Sequence, residues 1–215
     1  MSRSTAARSA LLVLAFALIG FGAVYVTLGR PDNVLPPRTR SAPDPAGTPQ
    51  ALPSGPGSNA LSRGEMAAFV FRKAPQPLAD VSFVDGTGTA RTLKDWKGKV
   101  ILLNLWATWC APCRKEMPSL DRLQTELGSD KFEVVALSVD RAGIAGSKKF
   151  LDEINVSALK LYVDPTARAT SGLQAIGLPA TLLIDAQGRE IGRLTGPAEW
   201  DSEDAKKLIQ AVLGS

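Results

Sequence analysis

The only two cysteines of the chain, Cys110 and Cys113, stand three positions apart in Trp106-Ala-Thr-Trp109-Cys110-Ala-Pro-Cys113-Arg-Lys-Glu116-Met-Pro118. Two thiols at that spacing on a first helical turn can close a disulfide and open it again, which is the chemistry of dithiol–disulfide exchange. An apolar run over residues 100–106 leads into the pair, and Met117, Leu120, Leu123 and Leu127 follow it at helical spacing. Cys110 is therefore expected where a buried strand turns into a helix, beside unpaired backbone N–H groups at the positive end of the dipole. That position favours thiolate over thiol, and the thiolate is the species that attacks a disulfide. Cys113, one turn further in, is the expected resolving cysteine, with Pro112 stiffening the turn between them. A static structural disulfide is the competing reading, but so short a loop contributes little loop-closure stabilisation.

Glu116 follows Cys113 by three residues on the same helical face. It could relay a proton during resolution, or be a solvated first-turn glutamate facing the dipole. Trp109, beside Cys110, is a candidate contact for partners. Pro179, between Leu178 and Ala180 just before a strand, is a candidate cis-proline. The chain has no histidine. That excludes histidine metal sites and Ser–His or Cys–His nucleophile pairs. Two cysteines cannot make a four-cysteine zinc site within one chain, so no metal site and no cofactor beyond the Cys110–Cys113 disulfide are expected.

Around the motif the pattern alternates between strands and helices. A short helix is expected over 61–71. Residues 81–84 and 91–93 should form a hairpin about Asp85-Gly86-Thr-Gly88. A buried strand over 100–106 precedes a helix over 110–127, kinked at Pro118. A second buried strand (132–139), a helix (148–154), a short strand (159–163) and a short helix (165–175) come next. A hairpin of 181–185 with 190–195 and an amphipathic helix over 201–213, capped by Ser202 or Asp201, complete the order. The result is an α/β sandwich around a mixed sheet.

Charge is unevenly placed. Residues 1–60 carry five Arg and two Asp, whereas 61–215 carry twenty Lys and Arg against nineteen Asp and Glu. The folded part is near neutral, with no basic stripe for nucleic acid. Residues 10–28 contain no charge, and nineteen helical residues span roughly 28 Å, about one hydrocarbon core. An uncleaved anchor is the expectation, with a cleaved signal peptide as the alternative. The domain plan is a cytoplasmic 1–9, a membrane-spanning 10–28, a linker 29–60 and a folded domain 61–215. Residues 30–60 hold eight of the fifteen prolines. As polyproline II they would reach on the order of 90 Å, either to search for partners or as a passive spacer.

The motif Trp106-Ala-Thr-Trp109-Cys110-Ala-Pro-Cys113 resembles the active-site sequence of thioredoxin-fold proteins. The extension Arg114-Lys-Glu116-Met-Pro118-Ser-Leu120 resembles the membrane-tethered TlpA/ResA branch. So do Asn104, where ordinary thioredoxins have a buried Asp, and residues 144–165, which match the branch's strand–helix insert. Leu178-Pro179-Ala-Thr is similar to its cis-proline loop, and residues 195–205 are most similar to the TlpA side of the branch. The resemblance covers about 65–213. It implies a thioredoxin fold with an N-terminal β-hairpin, Glu116 as the functional acid, and Trp109, Leu178 and Pro179 as partner contacts. It further implies a periplasmic thiol:disulfide reductase on the bacterial inner membrane; a monomer is the default expectation. Its partners would be a copper chaperone or a copper-bearing oxidase subunit, with electrons from a membrane thiol transporter.

The nearest rival client is apocytochrome c, but members with that role usually carry an acid after the cis-proline, where Ala180 stands. A copper chaperone of the Sco type uses C-x-x-x-C and a histidine, and this chain has neither. A thiol peroxidase normally has a threonine three residues before its reactive cysteine; Ala107 occupies that position. A dithiol oxidase fits the same chemistry and differs only in redox poise.

Overall fold

The computed structural model describes residues 60–214. The predicted membrane span 10–28 and the linker up to residue 59 lie outside the described residues. Eight strands form one sheet: β1 (Val70–Pro77), β2 (Ser82–Asp85), β3 (Ala90–Thr92), β4 (Val100–Trp106), β5 (Phe132–Ser138), β6 (Leu161–Val163), β7 (Ala180–Ile184) and β8 (Arg189–Thr195). Four helices accompany it: α1 (Ala111–Leu127), α2 (Gly143–Glu153), α3 (Arg168–Gly172) and α4 (Glu203–Leu213). The strand order is β1-β8-β7-β4-β5-β6-β2-β3. β4 pairs parallel with β5 and antiparallel with β7, so the sheet is mixed, as expected.

The two central strands are buried at every position. Continuous apolar runs of this kind suit strands covered on both faces. The 81–93 hairpin forms as β2 and β3. It joins the sheet through β6, which pairs with both β5 and β2. The insert resembling 144–165 thus becomes α2 and β6, and β6 is the strand that carries the hairpin. In α4, Ala205, Leu208, Ile209 and Val212 are buried, and the Ser202 side chain accepts from the Ala205 N–H at 3.3 Å. Ser202, rather than Asp201, is the cap.

Three expectations need correction. Residues 61–71 do not form a helix. Only a 3-10 turn, Gly64–Met66, appears there, with Gly64 at φ +53°, and the chain then enters β1. The sequence concealed β1 because it is an edge strand with two prolines and only one fully buried position, so it lacks apolar alternation. Its pairing with β8 needs a residue without a side chain: a Cβ on Gly192 would meet Phe69 Cε1 at 2.5 Å and the Val70 carbonyl at 2.7 Å. Helix α2 begins at Gly143, five residues before the expected start; Gly143 and Gly146 are poor helix formers and masked it. Helix α3 is shorter than 165–175, bounded by Ala167 and Gln174 at positive φ. Pro118 lies inside helix α1, which runs as one element from Ala111 to Leu127.

Candidate active site

Strand β4 ends at Trp106, and helix α1 opens at Ala111 with Cys110 as its N-cap. Three residues are left for the connecting loop, and Asp140, just past β5, holds it. The Asp140 carboxylate accepts from the Thr108 N–H at 3.1 Å, from the Thr108 hydroxyl, and from the Ala142 N–H at 2.9 Å. Burial raises its pKa, but these hydrogen bonds outweigh that and the net shift is downward. Arg114 adds a bond to the Thr108 carbonyl at 3.5 Å while its guanidinium lies 4.8 Å over the Phe150 ring. The loop before Cys110 is therefore pinned from two sides.

Cys110 and Cys113 are joined as a disulfide with their Cα atoms 5.3 Å apart. The Cys110 sulfur accepts from the Cys113 N–H at 3.3 Å. This is the N-cap interaction that the sequence predicted, with sulfur in place of a hydroxyl. Cys113 is fully buried, whereas Cys110 keeps 5% exposure and Trp109 beside it is 70% exposed. A partner can therefore meet Cys110 before Cys113.

Glu116 is 1% exposed, so it is not a solvated first-turn glutamate. Its Oε1 accepts from Asn104 Nδ2 at 2.7 Å; its Oε2 accepts from the Ala198 N–H at 3.1 Å and from Trp200 Nε1 at 3.2 Å. Burial lifts its pKa from 4.5 to about 7; the three donors oppose the rise, and the nearby charge of Glu199 adds to it. A carboxyl of that acidity can take a proton and return it near neutral pH. Asn104 also donates to Thr181 Oγ1 at 2.9 Å, while its own Oδ1 has no partner among the described residues.

The Leu178–Pro179 peptide is cis. In the β4–β7 register Asn104 lies opposite Thr181 and Leu105 opposite Ala180. Pro179 immediately precedes that last pair, and Trp106, the end of β4 from which the cysteine loop springs, immediately follows it. The Pro179 carbonyl accepts from the Gly196 N–H at 2.9 Å. Leu178 is half-buried, and Ile176, two residues earlier, is 91% exposed. Arg193 holds the Gln174 carbonyl of the same loop at 3.0 Å.

Of the residues singled out in the sequence, Cys110, Cys113 and Glu116 lie together at the start of α1, with Trp109 just before it and Leu178–Pro179 just before β7. The bonds made by Asp140, Ala198 and Trp200 and the exposure of Ile176 were not legible in the sequence. Trp200 lies 84 positions from Glu116, and no local pattern links the two.

A dithiol pair at a strand–helix junction, opposite a cis-proline on a mixed sheet, defines the thioredoxin-fold thiol–disulfide oxidoreductases. The profile of the Redoxin family matches residues 73–209, and the chain belongs to that family. Among curated relatives, the thiol-disulfide oxidoreductase ResA of Bacillus thuringiensis subsp. konkukian is 35% identical over 128 residues, covering 60% of this chain and 72% of that protein. The thioredoxin-like protein YneN of Bacillus subtilis is 34% identical over 115 residues, covering 53% and 66%. Among solved structures, a thiol:disulfide interchange protein DsbE of Chlorobium tepidum aligns with a TM-score of 0.58 at 28% identity, over 65% of this chain and 98% of that one. The chain is a thiol–disulfide oxidoreductase.

Proposed function

We propose that the protein is a membrane-tethered periplasmic reductase. The observation that carries the reading is the asymmetry of the pair: Cys110 at the rim with its sulfur on the α1 N-terminus, Cys113 fully buried. The Cys110 thiolate attacks a partner disulfide, breaking its S–S bond and forming a mixed disulfide. The Cys113 thiolate then attacks Cys110, closing the internal disulfide. Two electrons pass to the partner, whose two sulfurs leave as thiols after taking two protons. Glu116 receives the Cys113 proton. The partner lies against Trp109, Leu178 and the backbone at Pro179, a residue that is itself buried. A membrane thiol transporter restores the dithiol, no cofactor is needed, and the protein works as a monomer.

The proposed clients are proteins of copper-centre assembly in cytochrome c oxidase. Copper-ligating thiols must be reduced to bind metal, and the periplasm is kept oxidising. The likeness of residues 195–205 to the TlpA side of the branch supports this choice, as does Ala180 after the cis-proline. A tether of residues 10–28 with a proline-rich linker suits membrane-bound clients.

The test is a trap in membranes of the native host. Cys113→Ser stalls the mixed disulfide at Cys110, and mass spectrometry identifies the captured protein. A copper chaperone or an oxidase subunit is the expected catch. Apocytochrome c would move the protein to haem-attachment chemistry, and a broad mixture would overturn the specific assignment.

A further inference from the structure

The segment between β8 and α4 is fastened to helix α1 through three of its residues, Glu116, Ser119 and Arg122, the last by an ion pair with Asp201. Ser119 Oγ accepts from the Trp200 N–H at 3.1 Å and donates to the Glu116 carbonyl at 2.8 Å. The Glu116 carboxylate takes the Ala198 N–H and the Trp200 indole N–H on a single oxygen, Oε2. Trp200 is fully buried. Burial alone does not require its N–H to find such a partner, because Trp106 is equally buried and its Nε1 has none among the described residues. The indole is thus aimed at Glu116, three residues after Cys113 on α1.

A carboxylate offers about two acceptor positions on each oxygen. Oε2 has both filled, by Ala198 and Trp200. Oε1 takes only Asn104 Nδ2 and keeps one open. We propose that Trp200 is a positioning residue for Glu116: with the Ala198 amide it occupies Oε2 and leaves Oε1, the oxygen facing β4, to receive the Cys113 proton during resolution. The proposal rests on the reading of Glu116 as that acceptor. The step balances. Cys113 gives its proton to Oε1, its sulfur forms the bond to Cys110, and the Cys110–partner bond breaks. The departing sulfur keeps the electron pair and takes a proton from Glu116 or water.

Few other charges bear on Glu116. Glu199 faces it from the same tail segment and opposes its ionisation. Its neighbours from β4 and β7, Asn104 and Thr181, carry no charge. On α1 the nearby titratable groups are Cys113 and Cys110 once the disulfide opens.

The test uses the full chain, reduced and kept in mild detergent, against a substoichiometric amount of 5,5′-dithiobis(2-nitrobenzoate). The first release of coloured thiolate reports attack by Cys110, and the second reports resolution by Cys113. In the native protein the second rate should rise with pH through an inflection at about 7. Trp200→Phe keeps the ring and removes a donor that favours the ionised form. Its inflection should move up by about one pH unit, slowing the second release about fivefold at neutral pH and leaving the first unchanged. A Trp200→Phe profile that coincides with the native one, while Glu116→Gln abolishes the inflection, overturns the role of Trp200 alone. An inflection that survives Glu116→Gln removes the Glu116 reading and the proposal with it. Should Trp200→Phe fail to fold, the native protein still decides. With 15N-labelled tryptophan, the Trp200 indole resonance should follow the same inflection, and a flat resonance overturns the proposal.

Discussion

Asn104 on β4 gives its side-chain amide to Glu116 on α1 at 2.7 Å and to Thr181 on β7 at 2.9 Å, joining three elements beneath the disulfide. An amide can do this because it donates twice without carrying charge. Asn104→Asp replaces it with a second carboxyl against Glu116. Two carboxylates at that distance cannot both ionise cheaply. The variant should bind one extra proton near neutral pH and lose about 1–3 kcal/mol of stability between pH 6 and pH 8 relative to the native protein. Urea unfolding at the two pH values measures it; equal loss in both proteins would refute the coupling.

Glu116 itself makes stability depend on pH, and the sign follows from its raised pKa. Its pKa is 4.5 when unfolded and about 7 when folded, so the folded state holds the extra proton between those values. Stability is fully present below about 4.5 and falls as pH rises through 7, by roughly 3 kcal/mol. Glu116→Gln removes the titration. Unfolding of the oxidised protein at pH 5 and pH 8 should show that fall in the native chain and a nearly flat profile in the variant.

Asp140 pins the loop that carries Cys110 through bonds to Thr108 and Ala142. Asp140→Ala leaves the Thr108 and Ala142 amides without their acceptor. A loss of about 1–3 kcal/mol is expected, together with slower alkylation of the reduced Cys110 by iodoacetamide. Unchanged alkylation would mean that the loop keeps its place without Asp140.

Gly192→Val tests the unpredicted strand. The new side chain would collide with Phe69 and the Val70 carbonyl, which separates β1 from β8. Overpacking of this kind costs about 1–3 kcal/mol. Amide exchange should accelerate along β1 and β8 and stay unchanged in β4 and β5.

Trp109 and Ile176 are the exposed apolar groups flanking the dithiol and the cis-proline. Trp109→Ala and Ile176→Ser should each raise KM for a protein disulfide several-fold. Neither should alter the rate with a small aromatic disulfide, which needs no such surface. Equal losses with both substrates would point to damage at Cys110 instead.

What could be read in the chain followed from local repetition. The runs 100–106 and 132–139 are apolar at nearly every position, and such runs lie in the middle of a sheet wherever they occur. The cysteine spacing, the helix after it and the turn at Pro179 are likewise short-range patterns. Strand β1 was not legible, because Val70–Pro77 is an edge strand whose pairing depends on Gly192, more than a hundred positions away.

The dithiol chemistry was thus determined by the sequence alone, since a three-residue spacing on a helix start leaves the two sulfurs within bonding reach whatever surrounds them. The acid beneath it was decided only by tertiary structure. Glu116 owes its partners to residues 12, 82 and 84 positions away and its acidity to burial among them. Desolvation and hydrogen bonding are properties of a packed environment, which forms only when β4, α1 and the segment before α4 close around one carboxyl group.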